Sequence, residues 1–304
     1  PITTTGLVTL ALLSRGDRGF TLAETIETLQ PFLSYVEERS FPTTFADGFE
    51  SPSEVEAALE DLRMNGVVRR TEGLSDVVYT IGPDEHLEAA YYRNTIIHHF
   101  LISAITELAA TRALIHGIPM TEEVIVDNAM ALRDLLKFEF FFSSRKEFTD
   151  EVSAELDRFR RNNDHIDGLE DIDIDQVAPA KSPVVLRPFL EAYSVVAGAL
   201  CTFQDDAVTS DELAHAALRM GQQLLAQGRI RNHEAISTTL FKSCIELVEN
   251  RDLLEGTTET RDAFRDEVGD LLDAVHTIAV ARGVESPSGT AAAIAEAVAA
   301  ATTS

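Results

Sequence analysis

From residue 85 onward, apolar residues recur at intervals of three and four through seven successive segments, at 85–115, 120–137, 144–162, 185–204, 208–227, 231–250 and 258–282. That spacing gives each segment a helix with one apolar stripe. Seven such stripes in series are buried only by packing against one another, so an α-helical bundle is expected over 83–285. Between Asn162 and Gln176 the chain carries Asp164, Asp167, Glu170, Asp171, Asp173 and Asp175 with no Lys or Arg. This marks an acidic linker, 162–180, that the bundle spans. The Ala-rich residues 286–304 read as a marginal helix or a disordered tail.

The first 82 residues follow a different order. Leu7, Val8, Leu10, Ala11 and Leu12 predict a buried helix ended by Ser14-Arg15-Gly16-Asp17-Arg18-Gly19. Thr21 with Glu24, then Ser53 with Glu56, are capping-box signals for a second and a third helix, the latter stopping at Asn65-Gly66. Val67–Thr71 and Asp76–Ile81 predict a hairpin. Three helices and a hairpin are the order of a winged-helix-like module, 1–82. The fold class is therefore mainly α, with this module ahead of the bundle.

Charge limits what such a module can bind. Asp and Glu number 51 against 25 Lys and Arg, a net charge of −26. The third predicted helix sets Glu54, Glu56, Glu60 and Asp61 against Arg63 alone, so it would repel the phosphates that a recognition helix must approach. Protein contact is the expected use, with no nucleic acid as partner. Cys201 and Cys244 belong to no CxxC or Cys/His spacing, which fits a reducing compartment and no structural zinc. No apolar run of 18 residues and no signal peptide occurs, so the isolated chain is expected to be soluble. Pro1 stands where Met would, and an apolar run follows at once, as in a piece cut from a longer chain.

A few positions draw chemical interest. In Tyr91-Tyr92-Arg93-Asn94 a guanidinium sits beside two rings in an apolar stretch, where it needs a carboxylate or phosphate partner. The neighbouring His98 and His99 point about 100° apart on a helix, too far for one metal. Lys137-Phe138-Glu139-Phe140-Phe141-Phe142 puts four rings in five positions, more than one helical stripe buries. Phe138, Phe140, Phe141 and Phe142 thus include rings for a second surface: another helix, another domain, or a bilayer interface. Asp171-Ile172-Asp173-Ile174-Asp175 starts like an EF-hand loop but lacks its Gly and final Glu. No phosphate-binding glycine loop, dinucleotide fingerprint or nucleophile elbow is present, so neither cofactor nor metal is expected.

Several segments together resemble the C-terminal region of the glycerol-3-phosphate 1-O-acyltransferase family, bacterial and mitochondrial type. They are Pro1–Leu13 with Gly19-Phe20-Thr21-Leu22, then Ala90–Asn94, then Leu135–Phe141, and last Leu186-Arg187-Pro188-Phe189-Leu190-Glu191-Ala192-Tyr193. The resemblance implies a parent enzyme that transfers an acyl group from acyl-CoA or acyl carrier protein to the 1-hydroxyl of sn-glycerol 3-phosphate. It also implies an upstream acyltransferase domain in the same polypeptide, peripheral contact with the membrane, and a place at the cytoplasmic face of the cell membrane. In that family a His with an Asp five positions later serves as general base. Here His86, His98, His99, His116, His165, His215, His233 and His276 are followed at that distance by Tyr91, Ser103, Ala104, Thr121, Glu170, Met220, Thr238 and Ala281. The Glu-Gly-x-Arg phosphate block is missing as well.

The chain is accordingly expected to be a non-catalytic C-terminal domain that supports the catalytic one. Tyr91, Tyr92, Arg93, Asn94, Arg187, Glu191 and Tyr193 are the candidates for interdomain contact or substrate support. The competing reading is a free-standing acidic regulatory protein with a winged-helix interaction module.

Overall fold

The computed structural model describes residues 1–14, 18–45, 51–73, 76–82, 84–162 and 181–281. The acidic stretch 163–180, with the Asp171–Asp175 run and His165, and the tail 286–304 lie outside the described residues. The chain is mainly α, with twelve helices and one two-stranded sheet among those residues. It divides into two compact units, Pro1–Leu101 and Ile102–Ser304.

In the first unit, α1 (Thr4–Leu13) has no charged residue and is buried from Gly6 to Leu13. It forms the core on which α2 (Leu22–Glu38), α3 (Pro52–Met64) and α4 (His86–Asn94) pack. The first capping box forms as the sequence predicts: the Glu24 amide donates to Thr21 Oγ1 at 3.2 Å, and the Thr21 amide to Glu24 Oε2 at 2.9 Å. The second does not, because α3 is capped at Ser51 and Ser53 lies inside the helix. Asn65 and Gly66 end α3, and Gly66 takes φ +80°, a conformation without steric cost only for glycine. The antiparallel strands β1 (Arg69–Glu72) and β2 (Val77–Thr80) follow, with Arg69 opposite Thr80 and Glu72 opposite Val77.

The single helix predicted over 85–115 is broken. α4 stops at Asn94, a 3-10 turn covers Ile97–His99, and α5 begins at Leu101 and runs to Ile115. The local cause is visible in the residues. Thr95 Oγ1 donates to the Tyr92 carbonyl at 2.7 Å, and Thr95-Ile96-Ile97 is a β-branched run that resists helical rotamers. His98 and His99 therefore stand on a tight turn, their rings 4.1 Å apart, rather than on an α-helix.

In the second unit, α6 (Glu122–Leu135) ends before the aromatic run, so residues 136–144 link it to α7 (Arg145–Asn162). The helix predicted over 185–204 is two, α8 (Ser182–Val185) and α9 (Arg187–Cys201). Leu186 separates them, and Pro188 supplies no amide hydrogen at the start of α9. α10 (Ser210–Ala226), α11 (Thr238–Asn250) and α12 (Thr258–Ala281) surround α9, all fifteen residues of which are buried. The expected start of α11 at 231 gives way to an extended Asn232 and a 3-10 turn, His233–Ala235. A Cβ on Gly221 of α10 would meet Ile236 Cδ1 at 2.7 Å, so glycine lets this turn approach the helix.

Candidate functional site

The second unit is organised by α9, whose composition is unusual for a helix enclosed on every side. It holds Arg187, Glu191 and Tyr193 among apolar neighbours, with 6%, 0% and 0% of their surfaces exposed. Helical spacing sorts them onto two faces. Arg187 and Glu191, four apart, share one face; Phe189 and Tyr193, also four apart, share the other.

On the first face, Glu191 Oε2 accepts from the Asn232 amide at 3.1 Å and from Asn232 Nδ2 at 2.9 Å. Its other oxygen, Oε1, is buried with no hydrogen-bond partner among the described residues. Burial raises the Glu191 carboxyl above the usual carboxylate range, and the charge of Arg187 opposes that rise. Burial likewise lowers the Arg187 guanidinium to about 10, against the pull of Glu191. Arg187 and Arg231 also hold the His276 imidazole below its ordinary value, a smaller effect than its burial, so the two guanidiniums lie within electrostatic reach of that imidazole.

On the second face, α9 meets the aromatic run. Phe189 and Phe140 pack edge to face with centroids 4.8 Å apart. Glu139 turns inward beside them, and burial pushes it up to about 7 despite a hydrogen bond with Ser243. Its Oε2 and the Tyr193 hydroxyl are both buried without a hydrogen-bond partner among the described residues. The structure thus joins the Leu135–Phe141 and Leu186–Tyr193 segments, which lie far apart in the chain, through the edge-to-face Phe140–Phe189 contact and a Glu139 whose charge acts on Tyr193.

The aromatic run itself divides. Phe140 and Phe142 are partly buried; Phe142 lies 5.6 Å from Phe148 and under the Arg133 guanidinium at 5.6 Å. Phe138 and Phe141 face solvent.

In the first unit, α4 shows a corresponding division. Arg93 is 1% exposed, and its Nε and Nη2 donate to Asn94 Oδ1 at 3.1 and 2.8 Å. Tyr91 is 70% exposed and Leu87, one turn earlier, 62%, so together they form an apolar surface on the outer side of α4. Tyr92 is half-buried, its ring 6.1 Å from that of Tyr91. At the open groove between α3 and the hairpin, each arginine is in an ion pair: Arg63 with Glu60, Arg69 with Glu85 and Arg70 with Glu72.

Two buried polar clusters lay beyond the reach of sequence reasoning. Glu107 of α5 accepts from the Lys181 amide at 2.9 Å and from the Ser182 amide and hydroxyl at 3.0 and 2.7 Å, capping α8. Its signal was the lone carboxylate of α5. Arg261 of α12 donates to the carbonyls of Gln204, Asp206, Leu253 and Leu254 at 2.6–3.0 Å, tying two loops to one guanidinium. Nothing in the local sequence sets Arg261 apart from other arginines.

Burial raises both cysteine thiols, Cys201 to about 12, which removes their nucleophilic form near neutral pH. Among the described residues, no group of three His, Cys, Asp or Glu is placed to bind a metal ion. No described helix is long and apolar enough to cross a membrane.

Comparison with known proteins places residues 1–257 in a match to the family model for the glycerol-3-phosphate acyltransferase C-terminal region. Proteins of Mycobacterium tuberculosis and Mycobacterium bovis, each named "Putative acyltransferase plsB1", are 33% identical over 291 residues, covering 92% of this chain and 46% of theirs. A Pseudomonas putida protein named "Glycerol-3-phosphate acyltransferase" is 22% identical over 290 residues, covering 88% of this chain and 32% of its own. The chain spans about half the length of the mycobacterial relatives.

Proposed function

We propose a function from the premise that this chain belongs to the family of glycerol-3-phosphate acyltransferase C-terminal regions: it is the non-catalytic companion of an upstream acyltransferase domain in one polypeptide. The parent enzyme moves an acyl group from acyl-CoA to the 1-hydroxyl of sn-glycerol 3-phosphate, giving 1-acyl-sn-glycerol 3-phosphate and CoA. It works at the cytoplasmic face of the cell membrane.

The observation that carries this reading is where the family-like residues lie. Arg93, Arg187, Glu191 and Tyr193 are each at most 6% exposed and engaged with protein, which suits supports of a fold and not groups that meet a substrate. A general base for the glycerol hydroxyl must come within hydrogen-bond reach of it. None of the eight histidines has an Asp five positions later, so the base belongs to the upstream domain. The outer side of α4, with Leu87 and Tyr91, is the surface that domain covers. A protein of this size normally leaves single apolar side chains exposed, but two large ones a turn apart form a contact patch.

The test uses the full-length enzyme. Leu87→Ser with Tyr91→Ser is expected to lower acyl transfer about tenfold or more while leaving the 304-residue chain as stable as before, because neither side chain is buried in it. Unchanged turnover in the double variant would remove α4 as the contact. Arg93→Ala is expected to lower the melting temperature of the chain itself, since Arg93 is buried within it.

A further inference from the structure

The link between α6 and α7 carries the most protruding ring of the described residues, and its neighbours explain why. Phe140 packs on Phe189, and Phe142 on Phe148 under the Arg133 guanidinium. With those two rings turned inward, Phe141 between them is turned out and is 108% exposed; Phe138, at 37%, adds a second ring. The backbone that bears them is pinned from both sides. The amides of Glu139 and Phe140 donate to the Leu136 carbonyl at 2.9 and 3.0 Å, and Arg133 Nη2 donates to the Ser143 carbonyl at 2.9 Å. A ring held this way is displayed in a fixed place and loses little freedom when something covers it.

The surroundings of the knob are close to neutral. Residues 133–151 carry five carboxylates and four cations, and most of these groups are already engaged within the chain. Asp134 pairs with Arg133 and Arg145, Lys137 donates to Asn250, Glu147 accepts from Ser144, and Glu151 accepts from Ser143. Such a rim gives an ion little to bind. It also costs little to cover with protein, because few charges would be left desolvated without a partner. What remains is apolar area on a rigid point. Interface energy concentrates in that form, an aromatic anchor amid near-neutral contacts that keep water out.

We propose that Phe141, with Phe138 beside it, seats in an apolar pocket of the upstream part of the polypeptide, as a second anchor in addition to the outer side of α4. Size selects this occupant. A buried aromatic side chain covers about 150–250 Å², so two of them fall well short of the roughly 800 Å² per partner that separate chains need to stay together. A second copy of the chain would not be held by so little. A tethered partner instead faces the knob at an effective concentration on the order of millimolar, where a small contact suffices. The chain covers 46% of its mycobacterial relatives, so more than half of such a polypeptide is available to carry the pocket. The inference rests on the companion-domain reading and adds where, in the second unit, the companion is gripped.

The test is photochemical and uses the full-length enzyme in detergent micelles. Phe141→p-benzoylphenylalanine keeps an aromatic ring at the tip and, on irradiation, bonds to the C–H groups that surround it. Cross-links to residues upstream of Pro1 in the same chain, located by mass spectrometry, are the expected result. Cross-links between two copies, cross-links to detergent, or no cross-link at all would each overturn the proposal. Phe141→Ser is expected to lower the yield of the same product from Phe138→p-benzoylphenylalanine at least about tenfold, the effect of losing one anchor. An unchanged yield would overturn the role of Phe141. Circular dichroism verifies folding, which substitution of an exposed ring leaves intact. The companion-domain reading fails by a different result, acyl transfer by the 304-residue chain alone, so the two failures are distinguishable.

Discussion

Glu191 carries the clearest energetic consequence of a single residue in this chain. Its charge is fully buried, with Asn232 on one oxygen, the charge of Arg187 acting on it, and the other oxygen unbonded among the described residues. Removing its carboxylate leaves the buried Asn232 amide and side-chain amide without their acceptor. Glu191→Ala is therefore expected to cost about 1–3 kcal/mol in urea denaturation, and Glu191→Gln less, since the amide oxygen still accepts from Asn232. Tyr193→Phe should behave oppositely. Its hydroxyl is buried with no hydrogen-bond partner among the described residues, so its loss is expected to change stability by less than about 1 kcal/mol or to raise it. A loss above about 2 kcal/mol would show that the hydroxyl is bonded. Glu139 adds a pH dependence. Its folded pKa, about 7, lies above the ordinary 4.5, so the folded state binds its proton more tightly. The stabilising share of Glu139 is complete below about pH 4.5, declines as pH rises, and is lost above about pH 7. This contributes about 1–3 kcal/mol across that window. Glu139→Gln is expected to flatten that share of the slope in denaturation measured across the window, and a slope identical to the parent's would contradict the assignment.

At the scale of elements, what the sequence makes legible is periodicity, and what it hides is where a periodic stretch is cut. The three-and-four spacing places α6, α7, α10 and α12 close to where they stand. It runs straight through Thr95, because a hydroxyl bonding back to a carbonyl leaves the hydrophobic pattern untouched. The same holds at Leu186, where apolar residues on both sides conceal the change from α8 to α9. The aromatic run was legible as too many rings for one stripe, but which rings turn inward depended on Phe148 and Phe189 from other helices. Of the seven interdomain candidates, five, Tyr92, Arg93, Arg187, Glu191 and Tyr193, are buried or half-buried. Composition could not separate an outward Tyr91 from an inward Arg93 two positions on. Glu107 belongs to this scale too, since it fastens α5 to the start of α8. Glu107→Ala leaves two buried amides and a hydroxyl without their acceptor and is expected to cost about 1–3 kcal/mol. In a unit of this size that is a fall of several degrees in Tm, readable by calorimetry.

At the scale of the whole molecule, a chain matching the family over residues 1–257 covers only 46% of its mycobacterial relatives. Its buried charges are spent within its own units, while Leu87 and Tyr91 in one unit and Phe138 and Phe141 in the other remain outside. That is the pattern expected under the companion-domain proposal. The measurement that tests this most directly is acyl transfer from palmitoyl-CoA to glycerol 3-phosphate, with the 304-residue chain alone and again after mixing it with the separately expressed upstream domain. Silence alone and turnover on mixing is the expected result. Turnover by the chain alone would contradict it, because it would require a catalytic base that none of its histidines supplies by the family's spacing.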